Sequence, residues 1–336
     1  MKKIIIKISI SLLLAGFIAL SMSPLSCKLT PEGIKLITGD YKSPELQKVF
    51  LNKNNNLEVS FSKKINLLTY SIEPHIESSS SIVEESENLC KLKLELFSEL
   101  SPGSKYSLFG MVKDEIGNTL TFSVPFYGIN NSVPELEIVE LHSQNGKYSL
   151  NGNPVLLTEY VVIKAKTSGN LAGLVLCSAY DGEKKDYLFP SVKIKEGEII
   201  VLHLRSNEEG CINETGDNLD ESTAGFSKPG VRDLWDENNV ARLGDKIDVV
   251  LIKNSYDDSI LDGIMYASSD NLDWSKELMY TYAQKLVESG IWKSTSVLEA
   301  VKTDSLSVTK CMVKTGSGNS GDSWRIGVCK ENAAKL

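Results

Sequence analysis

The chain has 336 residues, of which 41% are hydrophobic and 24% charged, and its formal net charge is −8 at pH 7. The composition is ordinary for a globular protein, and the length predicts two folded domains. The acidic balance disfavours binding to nucleic acid or to anionic lipid, because both carry negative charge. After residue 21 no apolar run approaches the roughly 20 residues needed to span a bilayer.

Residues 1–26 have the layout of a secretory signal peptide. Lys2, Lys3 and Lys7 form a basic start, and residues 8–20 are apolar except for two serines and a glycine. This order predicts export. A transmembrane anchor is the alternative, but the apolar run is short for one. Removal of these residues takes away three lysines and no acidic residue, which leaves a mature chain with a net charge of −11.

Cys27 follows Leu25 and Ser26, and this arrangement resembles the lipobox of bacterial lipoproteins. Pro24 stands where leucine is usual, and spirochaete lipoproteins have such looser lipoboxes. The resemblance implies that Cys27 carries a diacylglyceryl group, and two or three acyl chains hold a protein on a membrane almost permanently. We therefore expect a cell-envelope protein anchored to the inner or outer membrane, either periplasmic or surface-exposed. Ordinary cleavage with Cys27 left as a free thiol is the alternative.

A tether over residues 27–42 leads into a first domain over residues 43–132. Residues 57–61 and 89–97 alternate apolar and polar positions, and further strands are predicted over 106–112 and 119–126, with turns between them. The runs Leu-Glu-Val-Ser-Phe-Ser, Leu-Ser-Pro-Gly-Ser-Lys-Tyr and Lys-Asp-Glu-Ile-Gly-Asn, in this order, resemble bacterial Ig-like modules. The resemblance implies a β-sandwich. Residues 78–87, rich in serine and glutamate, are predicted to be an exposed loop.

The polar segment 130–134, which ends in proline, is the best linker candidate. The second domain, residues 135–330, carries Glu159-Tyr-Val, Asn170-Leu-Ala-Gly, Phe189-Pro, Leu243-Gly-Asp and Asp262 to Tyr266, and then Trp324 after a loop containing Asp322. As an ordered series these motifs resemble the lamin tail domain, an Ig-like β-sandwich. The predicted fold class is therefore all-β, with two Ig-like sandwiches in tandem and an α-helix inserted in the second.

Two insertions depart from that family's pattern. Residues 207–239 form a long polar insertion. Within 273–292, apolar residues at helical spacing predict a helix capped by Asp273 or Ser275 and stopped by Gly290. We expect this helix to pack on the sandwich, although an apolar face offered to a partner is the alternative.

The acidic part of the first insertion is the richest set of oxygen ligands. Calcium binds six to eight such oxygens, and the candidate ligands are Asp217, Asp220, Glu221, Asp233 and Asp236. Their spacing does not fit an EF-hand, and a solvated acidic loop is the simpler interpretation. Trp235, among these acids, is either an exposed partner-binding anchor or a residue tucked onto the sandwich.

A glycine-rich motif, one histidine and four cysteines are the other residues with possible chemical roles. Residues 316–321 match G-x-G-x-x-G but precede a strand, so we interpret them as a hairpin loop and not as a dinucleotide site. His203 alternates with leucines and is predicted to point outward from its strand. Cys90 and Cys177 lie in apolar runs typical of the core, whereas Cys311 and Cys329 lie in consecutive strands and could form a disulfide.

The sequence thus predicts a lipid-anchored envelope protein that binds or adheres through sandwich loops, or serves as a structural component, without catalysis. Its expected partners are the membrane, through the anchor, and a protein or glycan. No small-molecule cofactor is expected, and calcium is the one ion in question. The alternative is an exported hydrolase with a non-obvious, calcium-dependent site, because such sandwiches host many functions.

Overall fold

The fold is mostly β-structure, as predicted. A computed structural model describes residues 41–86, 89–150, 153–180, 182, 186–238, 240–318 and 320–329. These residues form several β-sheets and one α-helix. Within this part of the chain no helix is both long and apolar enough to cross a membrane.

In the described part of the chain, the first sandwich contains seven strands in two antiparallel sheets. The strands are β1 (Leu46–Leu51), β2 (Asn56–Phe61), β3 (Asn66–Glu73), β4 (Ser78–Ser86), β5 (Leu89–Leu96), β6 (Lys105–Lys113) and β7 (Thr119–Tyr127). One sheet has the order β1-β2-β5-β4 and the other β3-β6-β7. The four strands predicted here are confirmed as β2, β5, β6 and β7.

One prediction in this sandwich was wrong. The serine- and glutamate-rich segment, expected to be a loop, forms strand β4 up to residue 86. It pairs along β5 at the edge of its sheet, from Ser78 opposite Leu96 to Ser86 opposite Leu89. An edge strand tolerates polar residues because only one of its sides is paired, so its sequence lacks the apolar pattern of a central strand.

The second sandwich is larger and mixed. Its strands are β8 (Leu136–His142), β9 (Gly146–Leu150), β10 (Asn153–Leu157), β11 (Tyr160–Ala165), β12 (Gly169–Asn170), β13 (Leu174–Ser178), β14 (Tyr187–Leu188), β15 (Lys193–Ile194), β16 (Ile199–His203), β17 (Arg232–Trp235), β18 (Asp248–Asn254), β19 (Ile260–Ala267), β20 (Val301–Lys302), β21 (Lys310–Lys314) and β22 (Trp324–Val328). The main sheets have the orders β17-β16-β11-β8-β21-β22 and β14-β13-β18-β19-β20. The glycine-rich segment 316–321 lies between β21 and β22, as the hairpin interpretation predicted.

The inserted helix is confirmed as α1 (Glu277–Glu288), which contacts β18 and β19. Its buried residues are Met279, Tyr282, Ala283 and Leu286. The helix stops before Gly290, whose φ of +73° suits glycine. The predicted cap was wrong: Lys276 precedes the first helical residue and makes no side-chain cap. The helix is held by its packed face instead.

The long polar insertion also folds onto the sheet. Its residues 232–235 form β17, which pairs parallel to β16 at the end of the six-stranded sheet. The carboxylate of Glu214 accepts hydrogen bonds from the backbone N–H groups of Asp233 (2.7 Å), Glu221 (3.0 Å) and Ser222 (3.1 Å). A buried carboxylate with three N–H donors fixes the loop, because those donors would otherwise be unsatisfied.

The main hydrophobic cores of the two sandwiches are separate. One lies within residues 46–129 and the other within residues 133–326. The short segment between them includes the predicted linker. In that segment the Asn130 side-chain amide donates to the carbonyl oxygens of Asn170 (2.6 Å) and Ala172 (2.9 Å). The start of the linker, directly after the first sandwich, is therefore bound to the second sandwich.

Candidate functional site

A cleft of about 720 Å³ lies between the two sandwiches. The first sandwich contributes the end of β1, the turn at 102–104 and the end of β7. The second contributes the β12–β13 turn, residues 188–191 at and after the end of β14, and the β18–β19 turn. Ligand sites prefer concave surfaces between domains, and this volume is within the usual range of roughly 300–1,000 Å³ for such sites.

Four large apolar or aromatic side chains in the cleft are unusually exposed. Their exposed fractions are 63% for Leu188, 56% for Tyr127, 44% for Phe50 and 43% for Tyr256. All four line the same cleft. Apolar side chains exposed singly are common, but several gathered in one concavity mark an interaction site.

The cleft is shaped by close contact between the sandwiches. Gly103, with a φ of +72°, lies so near the second sandwich that a Cβ there would be 3.1 Å from the Cβ of Ala172. Across the cleft, the Tyr256 hydroxyl donates to the carbonyl oxygen of Leu51 (3.1 Å). Within the second sandwich, the Ser255 hydroxyl donates to the carbonyl oxygen of Gly173 (2.7 Å) and ties two of its turns together. These contacts fix the wall positions without a ligand.

A second, polar cavity of about 590 Å³ adjoins the cleft and shares Leu188 and Pro190 with it. Its lining includes three acids, Asp186, Asp236 and Glu237, and one cation, Arg242. The Arg242 guanidinium forms an ion pair with Asp236. The side of the cleft beyond Leu188 is therefore negatively charged.

Trp235 is not the exposed anchor that was one of its two predicted roles. Its side chain is 4% exposed, and its indole N–H donates to the Ser222 hydroxyl (3.0 Å). The indole stacks on the His203 ring with centroids 3.7 Å apart. The alternative, that Trp235 tucks onto the sandwich, is what the structure shows.

His203 was predicted to point outward and is instead buried. Its Nε2 lies 2.7 Å from Asp233 Oδ1. The alternating pattern around His203 predicted exposure to solvent. That prediction failed because the long insertion returns as β17 beside β16, and residues of the insertion cover the face of the sheet that would otherwise meet solvent. Buried polar groups are tolerated when they are paired in this way.

The candidate calcium ligands do not converge. Asp233 bonds His203 and the Lys228 N–H, Asp236 pairs with Arg242, and Asp220 accepts from the Gly230 N–H. Asp217 and Glu221 are exposed. No group of three His, Cys, Asp or Glu residues in metal-binding geometry occurs among the residues that the structure describes. Cys27, the predicted lipidation site, lies outside those residues.

Three acids of the second sandwich have buried carboxylates, and no pattern in the sequence predicted a structural role for them. Burial raises the pKa of Asp248 to about 7 and that of Asp262 to about 6, and it also raises the pKa of Glu159. Each accepts backbone hydrogen bonds: Asp248 from Gly244, Asp262 from Ile138, and Glu159 from Arg242 and Leu243. We interpret them as loop anchors. Because each of these acids stands alone in the sequence, no motif around it predicts that it anchors a loop.

The cysteines follow the sequence predictions in part. Cys90 and Cys177 are buried in the two cores. Cys311 and Cys329 are free thiols in this structure. A hydrogen bond between the two thiols lowers the pKa of Cys329, and the same bond together with burial raises the pKa of Cys311. A disulfide between them stays a prediction.

Comparisons with known proteins concern mainly the second sandwich. A family model, TP_1001_2nd, described as a protein second domain, matches residues 134–326. A curated relative from Treponema pallidum (strain Nichols), titled an uncharacterized protein, is 25% identical over an alignment of 202 residues that covers 57% of this chain. The aligned part is 49% of the relative, so the chain spans about half its length. No solved structure matches the chain.

Proposed function

We propose that this chain, which belongs to the TP_1001 second-domain family, is a lipid-anchored, non-catalytic binding protein of the cell envelope whose binding site is the cleft between its sandwiches. One observation carries the binding assignment: Leu188, Tyr127, Phe50 and Tyr256 line one cavity, and each is more than two-fifths exposed. Keeping such surface in water is unfavourable, and a partner that covers it recovers the hydrophobic free energy.

The loops that form the cleft agree with the expected use of sandwich loops for binding. They come from both domains, and Asn130 and Tyr256 hold them in place through hydrogen bonds. A preformed site needs little ordering when it binds, so more of the contact energy appears as affinity. This arrangement favours a binding module over a purely structural component.

The membrane anchor is the second part of the proposal. It rests on the basic start, the apolar run and the Leu25-Ser26-Cys27 sequence. A relative from a spirochaete agrees with a looser lipobox of the spirochaete type. We further propose that the first sandwich is a bacterial Ig-like domain and that the second is related to the lamin tail domain. Both proposed relationships are supported by motifs that occur in the same order along the chain as in those families, and by the sandwich architecture.

The anchor is tested by labelling cells with radioactive palmitate and by detergent phase partition. The full chain is expected to take up label and enter the detergent phase. Cys27→Ala is expected to lose both properties, whereas Cys329→Ala, at a cysteine that is partly exposed in the second sandwich, is expected to keep both. Equal labelling of the chain and of Cys27→Ala would overturn the anchor.

The cleft is tested with a photo-crosslinking amino acid placed in native cells. We place benzoyl-phenylalanine at position 188, inside the cleft, and at position 272 as a control, where Leu272 is 83% exposed outside it. The expected result is a discrete adduct from position 188 that is absent from position 272. The same adducts at both positions, or none at 188, would contradict a binding role for the cleft.

A further inference from the structure

The described residues that line the cleft carry no full charge. Among the described residues that line it, none is Asp, Glu, Lys, Arg or His, although 24% of the whole chain is charged. Lys48 places its Nζ 5.5 Å from the Phe50 ring centroid but is not part of the lining. A charged ligand group in this cleft would lose hydration without gaining an ion pair, which is unfavourable.

Several polar side chains of the lining are already used within the protein. The Asn130 amide donates to two carbonyl oxygens, and the hydroxyls of Tyr256 and Ser255 each donate to one. The Asn254 side-chain oxygen accepts from the Tyr256 N–H (3.0 Å). A glycan is bound through many hydrogen bonds to its hydroxyl groups. Because these side chains already use hydrogen-bonding groups within the protein, they have fewer left to bind a glycan.

The surface that the cleft offers to a ligand is therefore mainly hydrocarbon. It consists of the exposed faces of Phe50, Tyr127, Leu188 and Tyr256, together with prolines at 102, 125 and 190. Next to Leu188 lies the acidic cavity that contains Asp186, Asp236 and Glu237. That cavity repels anions from this side of the cleft, because like charges raise the free energy of the complex.

From the neutral lining, the internally bonded polar groups and the enclosed volume, we infer that the cleft binds an uncharged, mainly apolar small molecule. This inference rests on the proposed function, since it names the ligand class of the same site. The volume of about 720 Å³ suits one ligand of drug-like size. Burial of that ligand against the aromatic and aliphatic walls supplies its affinity.

The test uses two fluorescent probes that differ by one charge. N-phenyl-1-naphthylamine is uncharged, and 1-anilinonaphthalene-8-sulfonate is the same framework with a sulfonate. Both are titrated into the full chain carrying Cys27→Ser, which prevents lipid modification. The uncharged probe is expected to bind once per chain, and the sulfonate is expected to bind at least about tenfold more weakly, because the anion is desolvated without a partner.

Matched variants locate the probe. Leu188→Asp is expected to weaken binding of the uncharged probe at least about tenfold, since it puts a charge into the cleft. Leu272→Asp makes the same change at an exposed site outside the cleft and is expected to leave affinity unchanged. Both positions are exposed, so both variants are expected to fold, and circular dichroism checks this.

Three results would overturn the inference. They are equal affinity for the two probes, displacement of the uncharged probe by a neutral oligosaccharide such as maltohexaose, and no saturable binding by the folded chain. Each is distinguishable from a failure of the proposed function, because crosslinking from position 188 in cells does not depend on the charge of the ligand. An adduct from position 188 with no probe binding would keep the site and reject the ligand class.

Discussion

The hydroxyl of Tyr256, in the β18–β19 turn of the second sandwich, donates a hydrogen bond to the carbonyl oxygen of Leu51 in the first, at 3.1 Å across 205 residues of sequence. The ring of the same tyrosine lines the cleft. One residue therefore joins the two sandwiches and forms part of the proposed binding surface. Domain docking and the shape of the cleft are consequently coupled.

Tyr256→Phe separates these two roles. It removes the hydrogen bond and keeps the ring, so we expect docking of the sandwiches to weaken by about 1 kcal/mol, a typical net value for such a bond. Calorimetry is expected to show less cooperative unfolding of the two domains. Tyr280→Phe, on an exposed part of α1 with the ring 46% exposed, is the control and is expected to show no change. An unaltered unfolding profile for Tyr256→Phe would contradict the role of this bond.

Asn130 provides a second test of docking. Its amide donates to two carbonyl oxygens of the second sandwich, and its side-chain oxygen accepts from the Ser132 N–H (3.0 Å). We expect Asn130→Ala to lower the free energy of unfolding by about 2 kcal/mol, because it leaves several backbone groups without partners. Asn131→Ala removes a single long contact of 3.4 Å to Lys53 and is expected to cost less than 0.5 kcal/mol, as is typical of surface changes. Similar losses in the two variants, measured by urea denaturation, would refute the prediction.

The buried Asp248 predicts a pH dependence of stability. Its pKa is about 7 in the folded chain, against 3.8 for a free aspartate, because burial disfavours the charged form. Between these pH values the folded state holds a proton that the unfolded state has released, so stability falls as pH rises. Asp248 therefore contributes on the order of a few kcal/mol to the free energy of unfolding below about pH 4, and this contribution is lost as the pH rises through about 7.

Asp248→Asn tests this contribution, since asparagine does not titrate. Urea denaturation at several pH values between 4 and 8 is expected to give a flatter dependence for the variant than for the unaltered chain. Asp262 and Glu159 also have raised pKa values, so part of the slope remains in the variant. Asp270→Asn, which alters an exposed carboxyl group, is the control and is expected to keep the full slope. A slope unchanged by Asp248→Asn would show that this group is charged in the folded state at neutral pH.

Trp235 is expected to matter for folding and not for direct contact with a ligand. Trp235→Ala empties a buried position that is stacked on His203, which costs about 3–5 kcal/mol for such residues. Trp235→Phe keeps an aromatic ring but loses the hydrogen bond to Ser222, so we expect the free energy of unfolding to fall by only about 1 kcal/mol. The folded Trp235→Phe chain is expected to bind the uncharged probe normally. A large loss of affinity with unchanged stability would restore the exposed-anchor hypothesis.

Gly263 tests the packing of the inserted helix. A Cβ at this position would lie 2.4 Å from Leu286 Cδ2 of α1 and 2.7 Å from the Val250 carbonyl oxygen. We expect Gly263→Ala to destabilise the chain by about 1–3 kcal/mol, as overpacking does. Gly216→Ala, where a Cβ would meet no atom within 4 Å, is the matched control and is expected to be nearly neutral. Equal stability of the two variants by denaturation would show that the helix does not pack closely on β19.

Local pattern was sufficient for much of the fold. Leu92, Leu94 and Leu96 alternate with charged residues and are buried on one face of β5, as a half-buried strand requires. The helical spacing of Met279, Tyr282, Ala283 and Leu286 likewise predicted α1 and its buried face. These signals are readable because burial on one side of a regular element leaves its period in the sequence.

The all-β class, the inserted helix and the central strands could be predicted from the sequence alone, because each follows from short-range periodicity and turn residues. The other features depend on contacts between segments that are far apart in the chain. Edge strand β4 lacks a periodic pattern, and β17 returns from the long insertion to bury His203 and Trp235. The cleft exists only because turns far apart in sequence, around Leu51, Ala172, Leu188 and Tyr256, meet between two sandwiches. Contacts between such distant segments depend on how the domains dock, and no local pattern of residues encodes that geometry.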